Sequence, residues 1–272
     1  MQRLDFLLRT LRYRPMQSAP NTPEPPPATP NLDPAEVERF GRLAAEWWDT
    51  KGRLKPLHDQ GPARLGFIRD HLRRHFSIAN EGLKPLAGLR IVDVGCGGGL
   101  VSEPLARLGA TVTAIDPTID SIAVARAHSA SQGLDIDYRT TSIEELAASG
   151  AQFDAAVCME VIEHVPDPAA FVRSIAEAVR PGGMLIFSTL NRTLKSYALA
   201  IVAAEYVLGW LPRGTHDWNR FVTTGELGQF LTQAGCNEPD CSGIIYDVMS
   251  DTWRLGNDTD VNYIAASSKP RG

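Results

Sequence analysis

Residues 89–117, LRIVDVGCGGGLVSEPLARLGATVTAIDP, decide how this chain folds. They open with Ile91-Val92-Asp93-Val94, an apolar run of the kind that makes a buried parallel strand. Gly95, Gly97, Gly98 and Gly99 follow, then a helical pattern closed by Gly109, then a second apolar run, 111–115, ending on Asp116. Strand, glycine turn, helix, strand and acid make a nucleotide-binding βαβ unit. The glycines let backbone approach a ligand where a Cβ would collide, and Asp116 is placed to accept hydrogen bonds from both hydroxyls of a ribose.

Spacing narrows the nucleotide. A G-x-G-x-x-G dinucleotide fingerprint on Gly95 and Gly97 needs glycine at position 100, where Leu100 stands. No Lys-Ser/Thr pair follows the glycines, so a P-loop is excluded. The alternative is a tight turn in some other α/β protein; the acid ending the second strand weighs against it. Asp-Val-Gly-Cys-Gly-Gly-Gly (93–99), with an acid inside the first strand, resembles motif I of the class I S-adenosylmethionine (SAM) methyltransferases. The resemblance implies a Rossmann-like α/β fold, with a seven-stranded, mostly parallel sheet, helices on both faces, and an antiparallel final strand at 261–264.

The whole-chain composition agrees with a soluble globular protein. Of 272 residues, 43% are hydrophobic and 22% charged, ordinary for a globular protein with room for one large α/β domain. A net charge of −5 argues against a nucleic-acid partner, which usually meets a basic stripe. Cys96, Cys158, Cys236 and Cys241 form no C-x-x-C pair and read as free thiols in a reducing compartment. No apolar run reaches the 18 or so residues that span a bilayer as a helix.

Residues 1–34 read as a disordered leader. Arg3, Arg9, Arg12 and Arg14 stand against Asp5, and eight prolines occupy 15–34. A transit peptide is the alternative, weakened by Asp5 and by the lack of serine before Ser18. Asp33-Pro34 then caps a helix carrying Phe40, Leu43, Trp47 and Trp48, and 61–75 reads as a second helix with Arg64 near its start. Together 35–88 form a helical lid ahead of the core of a 35–272 domain. Downstream, strand and helix alternate: helix 120–132, strand 136–140, a helix from Ser142, strand 153–159, helix 168–179, strand 184–189. Ser142 stands where many SAM methyltransferases carry an Asp for the adenine amine, which leaves Ile143 as the fallback contact.

Met159-Glu160-Val161-Ile162-Glu163-His164 follows the fourth strand, at the end of the sheet where open α/β proteins bind ligands. If 160–164 coil as one helical turn, Glu160, Glu163 and His164 converge. Two carboxylates and an imidazole suit a Mg²⁺- or Mn²⁺-like cation; equally, His164 is open to a packed or hydrogen-bonded role or to that of a lone base, with Glu163 beside it as the other catalytic candidate. Phenol chemistry favours the cation. Forming a phenolate at pH 7 from a hydroxyl of pKa near 10 costs about 4 kcal/mol, and a Lewis acid stabilises that anion.

Residues 191–222 exceed a simple strand-to-helix connection. Within them 197–211 are apolar except for Glu205, with Arg192, Lys195, Arg213 and His216 flanking and Tyr206 and Trp210 inside. The segment reads either as a helix lying on a membrane or over a greasy substrate, or as a buried core helix.

WWD (47–49), KPLH (55–58), ARLGFI (63–68), CMEVIEHVPDP (158–168), FSTLNRTLKS (187–196), GTHDW (214–218) and DVNYIA (260–265) are, with motif I, similar to the ubiquinone-biosynthesis O-methyltransferase family over about 35–266. That resemblance implies methyl transfer from SAM to catechol-type hydroxyls of polyprenylated phenols and quinols, at a 2-polyprenyl-6-hydroxyphenol and at a 3-demethylubiquinol. It implies SAM contacts at Arg64, Gly95, Gly97, Asp116 and Met159, and a metal at Glu160, Glu163 and His164. It also implies peripheral attachment through 193–213 to the cytoplasmic membrane, or to the mitochondrial matrix face if 1–30 are a transit peptide, and association with other ubiquinone-biosynthesis proteins. A SAM methyltransferase for another small phenol, and a nonenzymatic SAM-binding assembly factor, are the competing expectations.

Overall fold

A computed structural model of the protein describes residues 30–79, 82–198 and 217–272. Most of the leader and 199–216 of the insert, with Arg213 and His216, lie outside the described residues. Helix α1 (Pro34–Leu43) starts as read: the Asp33 carboxylate accepts from the Ala35 N–H at 3.0 Å, and proline occupies the first turn. Order reaches slightly further back than position 35, because Asn31 exchanges two hydrogen bonds with the backbone of Asp167.

Helix α2 (Lys55–His75) is longer than the sequence reading, which began it at 61. Lys55-Pro56-Leu57-His58 is its first turn, and Arg64 lies well inside it. Gly61-Pro62 looks like a break, and Pro62 does cost the helix a ladder bond. The helix continues because Phe67, Ile68 and Leu72 are buried against the sheet.

The 89–117 unit folds as β1 (Arg90–Val94), α3 (Ser102–Arg107) and β2 (Thr111–Asp116), the strands parallel with Val94 opposite Ile115. Then come α4 (Ile119–Ser131), β3 (Asp137–Thr140), α5 (Ile143–Ala148), β4 (Phe153–Met159), α6 (Pro168–Ala178) and β5 (Val179–Leu190). A short turn α7 (Leu194–Ser196) opens the insert, and α8 (Thr224–Gln233), β6 (Asp240–Asp247), β7 (Thr252–Gly256) and β8 (Asn262–Ser268) complete the described elements. Side chains alternate along β1: Ile91 enters the core under α2–α4, while Val92 and Val94 enter the one under α5, α6 and α8. Helices therefore cover both faces.

The sheet has eight strands in the order β3-β2-β1-β4-β5-β8-β6-β7, one more than expected. The addition is β7, which forms an antiparallel hairpin with β6 after a tight turn in which Asp251 has φ +51°. Trp253 and Leu255 pack into the core beside α2, which is what holds so short a strand. As expected, β8 runs antiparallel to β5. β5 starts earlier than the 184 expected, at Val179, and Arg180-Pro181-Gly182-Gly183 make a bulge within it: Val179 pairs with Phe153 and Met184 already with Ala155. Strand order reverses between β1 and β4, so the carboxyl ends of these two strands open the crevice where such sheets bind ligands.

Candidate active site

The glycine turn is held from below and covered from above. Gly95 and Cys96 donate to the Ile115 carbonyl at 2.8 and 3.0 Å, and Gly97 donates to Asp116 Oδ2 at 3.0 Å. Gly97 has φ +52°, and a Cβ there would lie 2.3 Å from the Trp47 ring; one on Gly95 would lie 2.4 Å from Val161. Trp47 donates its Nε1 hydrogen to Ser121 at 3.2 Å, and Trp48 donates to the Gly98 carbonyl at 3.0 Å while stacking on His128. The tryptophan pair, given no role from sequence, thus clamps the lid onto the loop.

Asp116 is buried at the end of β2. Its Oδ1 accepts from Thr118 N–H at 2.8 Å and its Oδ2 from Gly97. Burial pushes its carboxyl above the ordinary range, and these two donors pull it back down. A carboxylate has about four lone-pair sites, so each oxygen retains one for a ligand hydroxyl. Beneath it, Asp93 accepts from Ser102 and is pushed up to about 7 by burial. The loop thus stands on two buried acids.

The Ser142 side chain is committed to its own helix. Its Oγ accepts from Glu145 N–H at 3.3 Å while Glu145 accepts from Ser142 N–H at 3.2 Å, a capping box. Ser142 and Ile143 both line the cavity, as do Asp116 and Met159.

Past Met159 the backbone turns sharply. Glu160 has φ +57°, uncommon for a residue with a side chain, and its N–H donates to the Ser188 carbonyl at 2.9 Å. Only Ile162–His164 coil, as one tight 3₁₀ turn, so Glu160 is not on a shared helical face with Glu163 and His164 as expected. Glu160 Oε1 instead accepts from Arg64 and from Ser188 Oγ, each at 2.7 Å. Arg64 is 4% exposed, and its Nε finds no hydrogen-bond partner in the structure, leaving one buried donor at the cavity wall for an anionic ligand group.

Glu163, 3% exposed, accepts from Thr189 Oγ1 at 2.8 Å, and its other oxygen stands 4.0 Å from His164 Nε2. Burial and the neighbouring Glu160 push its carboxyl up to about 7. His164 Nδ1 faces Glu36 Oε2 at 3.1 Å, and the Phe40 ring meets the imidazole edge-on. The His164 imidazole, with the Arg39 guanidinium 2.6 Å from the same oxygen, holds the Glu36 carboxyl below its ordinary range despite burial. Glu36, on α1, was not singled out in the sequence; it sits in the first turn of a helix more than a hundred positions before the Glu160–His164 segment.

Among the described residues no three His, Cys, Asp or Glu side chains are close enough to hold one metal ion. By type the donors, two carboxylates and an imidazole, suit a hard cation, but in this arrangement Glu160 turns to Arg64 and Ser188 while Glu163 faces His164 at 4.0 Å. The obstacle is Arg64, which supplies the positive charge at Glu160 in this arrangement.

Glycine loop, Asp116, Met159, Arg64 and the Glu160–His164 turn line one cavity of about 1240 Å³. Residues 63–238 match the family model described as a methyltransferase domain. The chain is 50% identical over 244 residues to the ubiquinone biosynthesis O-methyltransferase of Parvibaculum lavamentivorans, covering 90% of this chain and 96% of that protein. It is 52% identical over 248 residues to that of Methylocella silvestris, covering 89% and 96%. Solved structures share the fold at lower identity. The magnesium protoporphyrin IX methyltransferase of Synechocystis with SAM bound gives a TM-score of 0.54 at 16% identity, covering 89% and 100% of the two chains. A SAM-dependent methyltransferase from Clostridium acetobutylicum gives 0.56 at 14%, covering 86% and 98%. By sequence over nearly its whole length, and by a fold and cavity that agree with it, the chain belongs to the ubiquinone biosynthesis O-methyltransferases.

Proposed function

We propose that this enzyme methylates catechol-type hydroxyls of polyprenylated ubiquinone precursors, a 2-polyprenyl-6-hydroxyphenol and a 3-demethylubiquinol, with His164 as the base. The observation that carries the base assignment is the His164–Glu36 contact at 3.1 Å. A carboxylate on Nδ1 fixes the imidazole so that Nε2 presents its lone pair to the acceptor hydroxyl, and it stabilises the imidazolium formed when the proton arrives. SAM supplies an electrophilic methyl with its own leaving group. The protein's part is therefore to align and deprotonate. Arg64, Asp116 and the glycine turn hold the donor; the 3₁₀ turn holds the acceptor oxygen near the donor's methyl.

A second reading places a divalent cation, Mg²⁺ or similar, at Glu160, Glu163 and His164. Glu163 favours it, as a carboxyl pushed up by burial and by the neighbouring Glu160, with His164 4.0 Å away as the partial offset. Such an ion would act as Lewis acid toward the acceptor oxygen. Assaying methyl transfer to a short-chain prenylated catechol, with and without EDTA, separates the readings. If the cation is needed, EDTA abolishes turnover, Mg²⁺ or Mn²⁺ restores it, and SAM binding survives. Full activity in EDTA removes the ion and leaves His164 with Glu36. No methyl transfer to any catechol would sink the acceptor assignment.

The insert is proposed to dock on anionic membrane, placing the enzyme peripherally on the membrane that carries its substrate and other ubiquinone-biosynthesis proteins. No helix among the described residues is long and apolar enough to cross a membrane. Of the basic flanks, Lys195 is paired with Asp258 and with Asp260 at 3.5 Å, and Arg192 with Glu226, so neither offers a free charge to lipid. Arg213 then carries the electrostatic share, on the order of 1 kcal/mol per basic residue near the surface. Arg213→Glu should weaken sedimentation with anionic liposomes about fivefold at low salt and leave turnover of a tail-less catechol unchanged. Undiminished sedimentation would return the segment to a core or lid role.

A further inference from the structure

The cavity is larger than the described chemistry needs. Pockets of roughly 300–1,000 Å³ hold drug-sized ligands, whereas this one is about 1240 Å³ and is lined both by the glycine turn and His164 and, at another end, by α2 and the β6–β7 hairpin. That end is walled by Leu57 and Leu65 of α2 and by Ile244, Tyr246, Val248 and Trp253 of the hairpin and its turn. Tyr246 and Trp253 lie ring to ring at 5.2 Å, and the Tyr246 hydroxyl turns away to Asp251 at 2.6 Å, leaving the aromatic face to the cavity. Val248 both lines the cavity and is 77% exposed, and Met249 beside it is 95% exposed. The hairpin tip is therefore a mouth.

We propose that this end is a binding groove for the polyisoprenoid tail of the acceptor, entered beside Val248 and Met249. The proposal rests on the acceptor reading above and adds the place where the tail lies. A branched hydrocarbon has no hydrogen-bonding group, and this wall of aliphatic and aromatic carbon asks for none; its continuity with the 3₁₀ turn lets one molecule put its ring at His164 and its tail under the hairpin. A bilayer is the poorer occupant of the tip itself, because Asp247 and Asp251 flank it. The strand β7, absent from the sequence expectation, thereby gains a purpose: with β6 it forms the groove's outer wall.

The test compares one catechol without a tail and with one to four isoprene units, dispersed in neutral detergent, and measures binding of the matching non-reactive benzoquinones by tryptophan quenching. Wild-type KM and quinone Kd should fall about tenfold or more between the tail-less and longest compounds. Val248→Asp and Met249→Asp, both at exposed positions, should each lose most of that gain, while kcat and KM for the tail-less catechol and SAM affinity stay as in wild type. Tail-independent binding in wild type, or variants that weaken tailed and tail-less compounds alike, overturns the groove. Tail-dependent quinone binding with no methyl transfer to any catechol would keep the groove and overturn the acceptor reading instead.

Discussion

Replacing His164 with alanine is expected to lower kcat by about 10²–10⁴-fold, the usual contribution of a positioned general base, with SAM affinity unchanged. The side chain is held at its backbone by the Val161 carbonyl, at its Nδ1 by Glu36 and on its edge by Phe40. Its removal leaves the SAM loop, on the far side of Val161, untouched. Glu36→Gln separates the positioning role from the base itself. The amide presents no negative charge to the imidazolium and can hold the ring in the wrong tautomer, so kcat should fall while KM for the acceptor moves little. Steady-state kinetics at saturating SAM, with calorimetry for SAM binding, measure both. Wild-type kcat in His164→Ala would remove the imidazole from the reaction and leave the 3₁₀ turn a purely structural element.

What the sequence disclosed, and what it withheld, follows the range of the interactions. The βαβ unit was legible because each of its signals is local: an apolar run makes a buried strand, and glycines mark the turn between it and a helix. The same holds for β4, whose ends at Phe153 and Met159 were read correctly. Start and stop signals failed where tertiary burial overrode them, as at Pro62, which remains in α2 because the residues after it are buried. β7 was missed because its reason to exist is a partner strand and a helix elsewhere in the chain. The conformation of the Glu160–His164 segment was misjudged for a similar reason. Helical spacing brings 160, 163 and 164 together, but Ser188 on β5 and Arg64 on α2 draw Glu160 out of the coil. Neither Arg64–Glu160, 96 positions apart, nor Glu36–His164 leaves any trace in local spacing. Local spacing therefore located the segment that lines the cavity but not the partners its side chains take.

Asp116→Ala is expected to weaken SAM binding by about 1.5–3 kcal/mol, the worth of hydrogen bonds to a charged group, which is roughly ten- to 150-fold in Kd. The argument begins with what the carboxylate already does. Each oxygen takes one backbone N–H, Gly97 on one side and Thr118 on the other, so Asp116 shapes the glycine turn and, on the proposed reading, keeps lone pairs for a ribose. Alanine removes both functions. Asparagine retains one acceptor oxygen and about the same volume but no charge, and should fall between alanine and wild type. Calorimetric titration with SAM measures the affinities, and urea unfolding without SAM measures how much of each loss is the loop's own. A loss of SAM affinity in Asp116→Ala with unfolding midpoints unchanged assigns the effect to the ribose. Equal SAM affinity in wild type and Asp116→Ala would show that the ribose lies elsewhere along the crevice, and that this buried acid serves only to hold the turn.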